Sequence, residues 1–242
     1  MKKIITGFAA IASLAIAAPA MADPITLDSS DIGDSFTVDY DGFAGSASNT
    51  IDDLTASITF TLDSIMGDAY SFSYLVSNTT GNGVDSRISS FSFNANPDII
   101  DATSTGVYDI AFVADGSGND PSYPNQIGAV DVCFKGGNSG SCSNSGGVTA
   151  GNTGGGTLDL IFSTLPTELT LSDFYVRYQS ITGAGNVSSA SGQSITSSTT
   201  GGTSSGTQVP APGMLGLLAL ALVSLGLMRR RRRVDPSHPA MA

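Results

Sequence analysis

The side chains able to do chemistry in this 242-residue chain are few, and their identities narrow the choices before any fold is considered. Cys133 and Cys142 are the only cysteines. Eight residues separate them, a spacing foreign to redox motifs, and no histidine lies nearby to complete a metal site, so a disulfide is the first reading and a thiol pair for metal or redox work the second. The single histidine, His238, follows an arginine cluster near the end of the sequence and leaves a Ser-His-Asp triad or a His-ligated zinc site without its base or ligand. The carboxylates offer local pairs: Asp39 with Asp41, Asp52 with Asp53, and Asp98 with Asp101. Hard oxygen ligands in Gly-rich turns are what calcium takes. However, Asp39-Tyr40-Asp41-Gly42 lacks the third oxygen ligand and distal Glu of an EF-hand, so calcium stands beside the simpler reading of acids that keep a surface soluble. Glu168 is the only glutamate and Trp is absent, which gives a glycosidase-like carboxylate pair few aromatic platforms to work with. Gly154-Gly155-Gly156 precedes no helix and offers no phosphate cradle. The chemistry read from these residues is therefore non-catalytic.

Charge sharpens the exclusion. Between residues 23 and 208 the only cations are Arg87, Lys135 and Arg177, against 20 acids, a formal charge of −17 where the whole chain carries −11. Such a surface repels phosphate, and nucleic acid is not an expected partner.

The elements that hold these residues follow a period of two. Leu54, Ala56, Ile58, Phe60 and Leu62 alternate with hydroxylated residues, as do Phe36, Val38 and Tyr40, and Tyr70, Phe72, Tyr74 and Val76. Further strands are expected at 88–94, 107–114, 129–134, 158–163 and 169–181, the last with a bulge between Leu171 and Phe174 where the apolar phase shifts. Gly, Asn, Asp and Ser clusters separate them, and no helical stripe interrupts. The expected fold is all-β, an antiparallel β-sandwich of about eight or nine strands spanning 23–181. Residues 182–208 include 20 Ser, Thr or Gly and read as a flexible linker.

The ends have a different composition. Residues 1–22 combine Lys2 and Lys3, an apolar run and Ala20-Met21-Ala22, the layout of a secretory signal peptide cleaved before Asp23. Near the other end, Val209-Pro210-Ala211-Pro212 precedes a 16-residue uncharged run, 213–228, and then Arg229, Arg230, Arg231, Arg232 and Arg233. The run reads as a short transmembrane helix, with the arginines acting as a stop-transfer signal on the cytoplasmic side. Residues 234–242 form a short tail with no interpretable feature.

Prolines, short apolar helix and arginine cluster, in that order behind a signal peptide, resemble the PEP-CTERM sorting signal of Gram-negative bacteria, although Ala211 stands where that family usually has Glu. The resemblance implies export across the inner membrane, a temporary anchor at 209–233, processing by an exosortase-type protease, and delivery to the cell surface or extracellular matrix, with exopolysaccharide or biofilm as the expected association. A permanent single-pass anchor is the competing reading of the same tail. The residues from Val130 to Phe134, the Gly-rich stretch through Cys142 to Gly156, and Arg177-Tyr178-Gln179-Ser180-Ile181 are similar to the cistern group within that family, which carries no activity to transfer. A lectin-like carbohydrate- or calcium-binding module is the alternative function.

Overall fold

The computed structural model describes residues 22–200 apart from 117–119, 138–141 and 143–145. Ala20, Val209 to Pro212, the apolar run and Arg229 to Arg233 lie outside the described residues.

The alternating segments form strands, as their period requires. In chain order they are β1 (Ile25–Leu27), β2 (Ser35–Phe43), β3 (Thr50–Met66), β4 (Ala69–Asn78), β5 (Asp85–Asn96), β6 (Asp101–Ser104), β7 (Ile110–Val113), β8 (Ser122–Tyr123), β9 (Gly128–Ala129), β10 (Val132–Lys135), β11 (Val148–Thr149), β12 (Thr153–Ile161), β13 (Leu169–Thr182) and β14 (Ser189–Thr200). One 3-10 turn, Ser29–Asp31, is capped by Asp28, whose side chain accepts from the Ser30 N–H. Among the described residues there is no α-helix, and no helix long and apolar enough to cross a membrane.

The all-β, antiparallel class is as expected; the partition into two sheets is not. Hydrogen bonds run unbroken through the order β6-β12-β4-β3-β2-β14-β13-β5-β10-β7, with β1 added on β13 and β11 on β5, while β8 and β9 form a separate hairpin. The ends of this path, β6 and β7, lie side by side, so the sheet rolls nearly closed. Its two halves face each other across an aromatic core. Phe60 of β3 stacks on Phe36 of β2 at 5.1 Å between centroids and meets Phe91 and Phe93 of β5 edge-on at 5.8 and 6.1 Å. Phe174 of β13 lies 6.2 Å from the same ring. Each of these side chains is buried, and each contributes roughly 1.5–3 kcal/mol through burial alone.

A single strand accounts for the difference. β14 pairs with β13 on one side, from Tyr175↔Gln193 to Gln179↔Ser189, and with β2 on the other, from Ser191↔Phe43 to Thr200↔Ser35. Without it the path would fall into two sheets. The segment expected to be linker, 182–208, therefore contains a central strand, and the domain extends past 181 to Thr200. The inward residues of β14 are small, Ala190, Gly192 and Ser194, because Val176, Tyr178 and Tyr40 already fill the core beneath it. At Gly192 a Cβ would collide with Val176 Cγ2 and the Tyr178 ring, so no larger residue fits there.

The expected bulge in β13 is present. The β5 register shifts between Ser172 and Tyr175, Asp173 sits at φ 51°, and both Leu171 and Phe174 consequently point inward.

Candidate functional site

Two outer surfaces of the roll differ in chemistry. On β2, β3, β4 and β12 the residues between core positions are hydroxylated and solvated, and they pair across strands. Ser35 meets Thr61 at 2.7 Å, Thr37 meets Thr59 at 2.8 Å, and Thr105 meets Thr157 at 2.8 Å. Thr196 donates to Asp39 at 3.0 Å, Ser73 to Asp63 at 3.0 Å, and Thr103 to Asp159 at 2.9 Å. Cross-strand registers thus arrange hydroxyls in rows, at about 4.8 Å between strands and about 7 Å along them. None of the three cations of the domain lies on this face.

The outer surface of β10, β5 and β13 is covered. Cys133 projects away from Val132 and Phe134 and joins Cys142, Sγ to Sγ 2.00 Å, with Cα atoms 6.1 Å apart. With Tyr123 and Val130 the cystine makes a second buried cluster, against which Phe112, Ile127 and Tyr175 pack. Beneath it is a polar layer. Ser90 Oγ contacts the Tyr123 hydroxyl at 2.7 Å and donates to the Cys142 carbonyl. Burial pushes the Tyr123 phenol well above its ordinary value, opposed by the hydrogen bond with Ser90 and by the charge of Arg177.

All three cations of the domain belong to this covered side. Lys135 and Arg177 register with Ser90 from its two flanks, and Arg87 registers with Gln179. Arg177 is buried; its guanidinium donates to the Ala190 carbonyl at 3.2 Å and to Ser189 Oγ at 3.1 Å, while Nε has no partner. Burial lowers its pKa. Arg87 donates to the Gly146 carbonyl and to Gln179 Oε1, and Lys135 Nζ sits 5.4 Å above the Phe112 ring. The two arginines thus anchor β14 and the stretch at Gly146 by donating to backbone, hydroxyl and amide oxygens. Sequence reading singled out Cys133 and Cys142, named Arg177 only as a scarce cation and as part of the cistern-like stretch, and passed over Tyr123 and Ser90. The usable signal was that the domain keeps only three cations.

One member of each carboxylate pair is taken up locally. Asp39 accepts from Thr196, Asp53 from Asn82 at 2.7 Å, and Asp101 from the Ala102 N–H at 2.8 Å. Among the described residues no three His, Cys, Asp or Glu side chains converge as a metal cluster. Gly154-Gly155-Gly156 lies inside β12, where a Cβ on Gly156 would strike the Thr105 carbonyl and the Tyr74 hydroxyl. Its role is close strand packing. Asp23, the expected mature start, is held beside β14, its carbonyl accepting from Ser197 Oγ at 3.4 Å. No family model, no curated protein and no solved structure matches this chain.

Proposed function

We propose that this is an exported, non-catalytic protein of the cell surface or extracellular matrix, sorted through its C-terminal tail by an exosortase-type system and associated with exopolysaccharide. The observation that carries the reading is the cation-free hydroxyl face of β2, β3, β4 and β12, whose rows of Ser and Thr match the hydroxyl-rich chemistry of a neutral polymer. The buried cystine supports it, since such a bond persists in an oxidising, exported compartment. The sorting step rests on the sequence of residues 209–233 and its resemblance to PEP-CTERM tails.

Two measurements test it. Intact mass of the mature protein with cell fractionation should give a species starting at Asp23 and lacking Arg229 to Arg233 outside the inner membrane. Retention of those arginines in a membrane fraction would replace sorting with a permanent anchor. Co-sedimentation with matrix polymer from the same cells should occur without competition by simple sugars, and should weaken when Thr37, Thr59 and Thr61 are changed together to Val. Saturable competition by one monosaccharide would make the domain a lectin instead.

A further inference from the structure

The rolled sheet brings one set of strand ends together with the point where the chain leaves the domain. Thr200 registers with Ser35, and Ser35 with Thr61. From there β3 runs on to the Met66 hairpin, and Ala69 registers with Ile161, which registers with Asp101. Short bonds tie the connecting loops to this end: Gly33 N–H to the Leu62 carbonyl at 2.7 Å, Ile100 N–H to the Ile161 carbonyl at 2.8 Å, and Phe162 N–H to the Asp68 carbonyl at 2.9 Å. Tyr70 donates to the Pro166 carbonyl at 3.0 Å.

Three of the four large exposed apolar side chains among the described residues are here: Met66 at 74%, Ile100 at 59% and Ile32 at 46% exposure. They stand among Asp28, Asp31, Asp34, Asp63, Asp68, Asp98, Asp101 and Glu168, with no cation among the described residues, because Arg87, Lys135 and Arg177 sit on the covered side and toward the other end. Since β14 absorbs the residues up to Thr200, only eight, 201–208, separate this end from Val209-Pro210-Ala211-Pro212. Fully extended they span at most about 30 Å. Whatever acts on the proline motif works within that distance of this surface.

We propose that this acidic, apolar-studded end is a docking surface for a cationic protein partner, the exported face of the machinery that processes the tail. The inference rests on the sorting reading and adds a second recognition element to the tail motif. Charge complementarity selects the partner. Eight carboxylates without a counter-charge among the described residues steer a basic surface into contact, and the exposed Met66, Ile100 and Ile32 supply apolar anchors. The same carboxylates repel an anionic leaflet, which argues against the bilayer as the occupant.

The experiment is a pulse-chase of tail removal from the full chain in its own host. One variant neutralises this end, Asp68→Asn with Asp98→Asn and Glu168→Gln, three exposed carboxylates without hydrogen-bond partners. A control removes the same charge elsewhere, Asp41→Asn with Asp52→Asn and Asp109→Asn. Both should melt like the wild type. Tail removal should slow roughly threefold to tenfold in the first variant and hold its rate in the control. Equal rates in all three proteins, or equal slowing in both variants, would overturn the surface. A wild-type tail that is never removed would overturn the sorting reading itself. A photo-crosslinking residue in place of Met66 in the anchored chain then decides the surface alone. Protein adducts that disappear when the three carboxylates are neutralised support it, and lipid adducts, or none, overturn it.

Discussion

Removing β14 should abolish the fold, although its sequence, Ser189 to Thr200, has the composition of a tether. Five of its residues register with β13 and nine with β2, and it roofs Tyr40, Val176 and Tyr178, all of them buried. Deleting it exposes parts of these side chains and of Val38 and Phe36 on β2, at about 1 kcal/mol or more each. About a dozen ladder hydrogen bonds also go, each with a net value of roughly 0.5–1.5 kcal/mol. The sum is on the order of 10 kcal/mol or more, comparable to the whole stability of a domain, roughly 5–15 kcal/mol. Exported fragments 23–188, 23–200 and 23–208 compared by near-ultraviolet circular dichroism and thermal melting provide the assay. The two longer fragments should share one cooperative transition, and 23–188 should show none. A 23–188 fragment melting within about 2 °C of the longer ones would show that β14 contributes nothing and would refute the reasoning.

The other expectations use different parts of the molecule. Changing Cys133 and Cys142 together to Ser opens a loop of sequence separation 9, and chain entropy puts the loss at about 2.7 kcal/mol, or about 7 °C for a domain near 180 residues; a shift under about 1 °C would mean that the covering layer holds without its staple. Gly192→Val should cost on the order of 2–3 kcal/mol in a denaturant titration, because its side chain meets Val176 and Tyr178, whereas Ser198→Val on the solvated side of the same strand should change stability by less than about 0.5 kcal/mol. Burial raises the pKa of Tyr40, Tyr108, Tyr123 and Tyr178, so their neutral forms stabilise the fold fully below the unfolded phenol value of about 10, and that stability is lost as pH rises above it. Four such groups give a slope of roughly 5 kcal/mol per pH unit, so absorbance near 295 nm should show them ionising in one cooperative step with unfolding, and reversible titration near pH 10 in a folded protein would contradict it.

How far the sequence carried the fold depended on where the apolar residues sit. β2, β3 and β4 were legible because the core-facing residues at every second position of each strand are apolar and, Ala56 apart, large, and the β13 bulge because two apolar phases cannot share one straight strand. β14 was illegible for the opposite reason. Its inward face is Ala, Gly and Ser, and its membership in the sheet is decided by tyrosines on its neighbours, which local period cannot register. β1, β6 and β11, with two to four residues each, are too short to display a period at all. At the site, the cystine followed from counting cysteines. The hydrogen bonds of Ser90 with Tyr123 and Cys142 join segments 33 and 52 residues apart, and those of Arg177 depend on the β13–β14 register, and neither is written locally.

The few cations and the many acids then acquire separate structural meanings. Each of the three cations is engaged on the covered side, Lys135 and Arg177 buried and Arg87 half-buried. Arg177 donates to two residues of β14, Arg87 holds the Gly146 carbonyl beyond the cystine, and Lys135 sits on Phe112. Placed at the surface instead, any of them would have neutralised a carboxylate at a cost of little more than a weak, screened ion pair. Their withdrawal leaves the acids uncompensated, above all at the end where Met66 is exposed and the chain continues to the proline motif. A charge of −17 spread evenly would serve solubility alone. Eight of the 20 acids stand instead beside the end of β14, with Lys135 and Arg177 buried and Arg87 half-buried on the covered side, and this asymmetry gives the domain a direction.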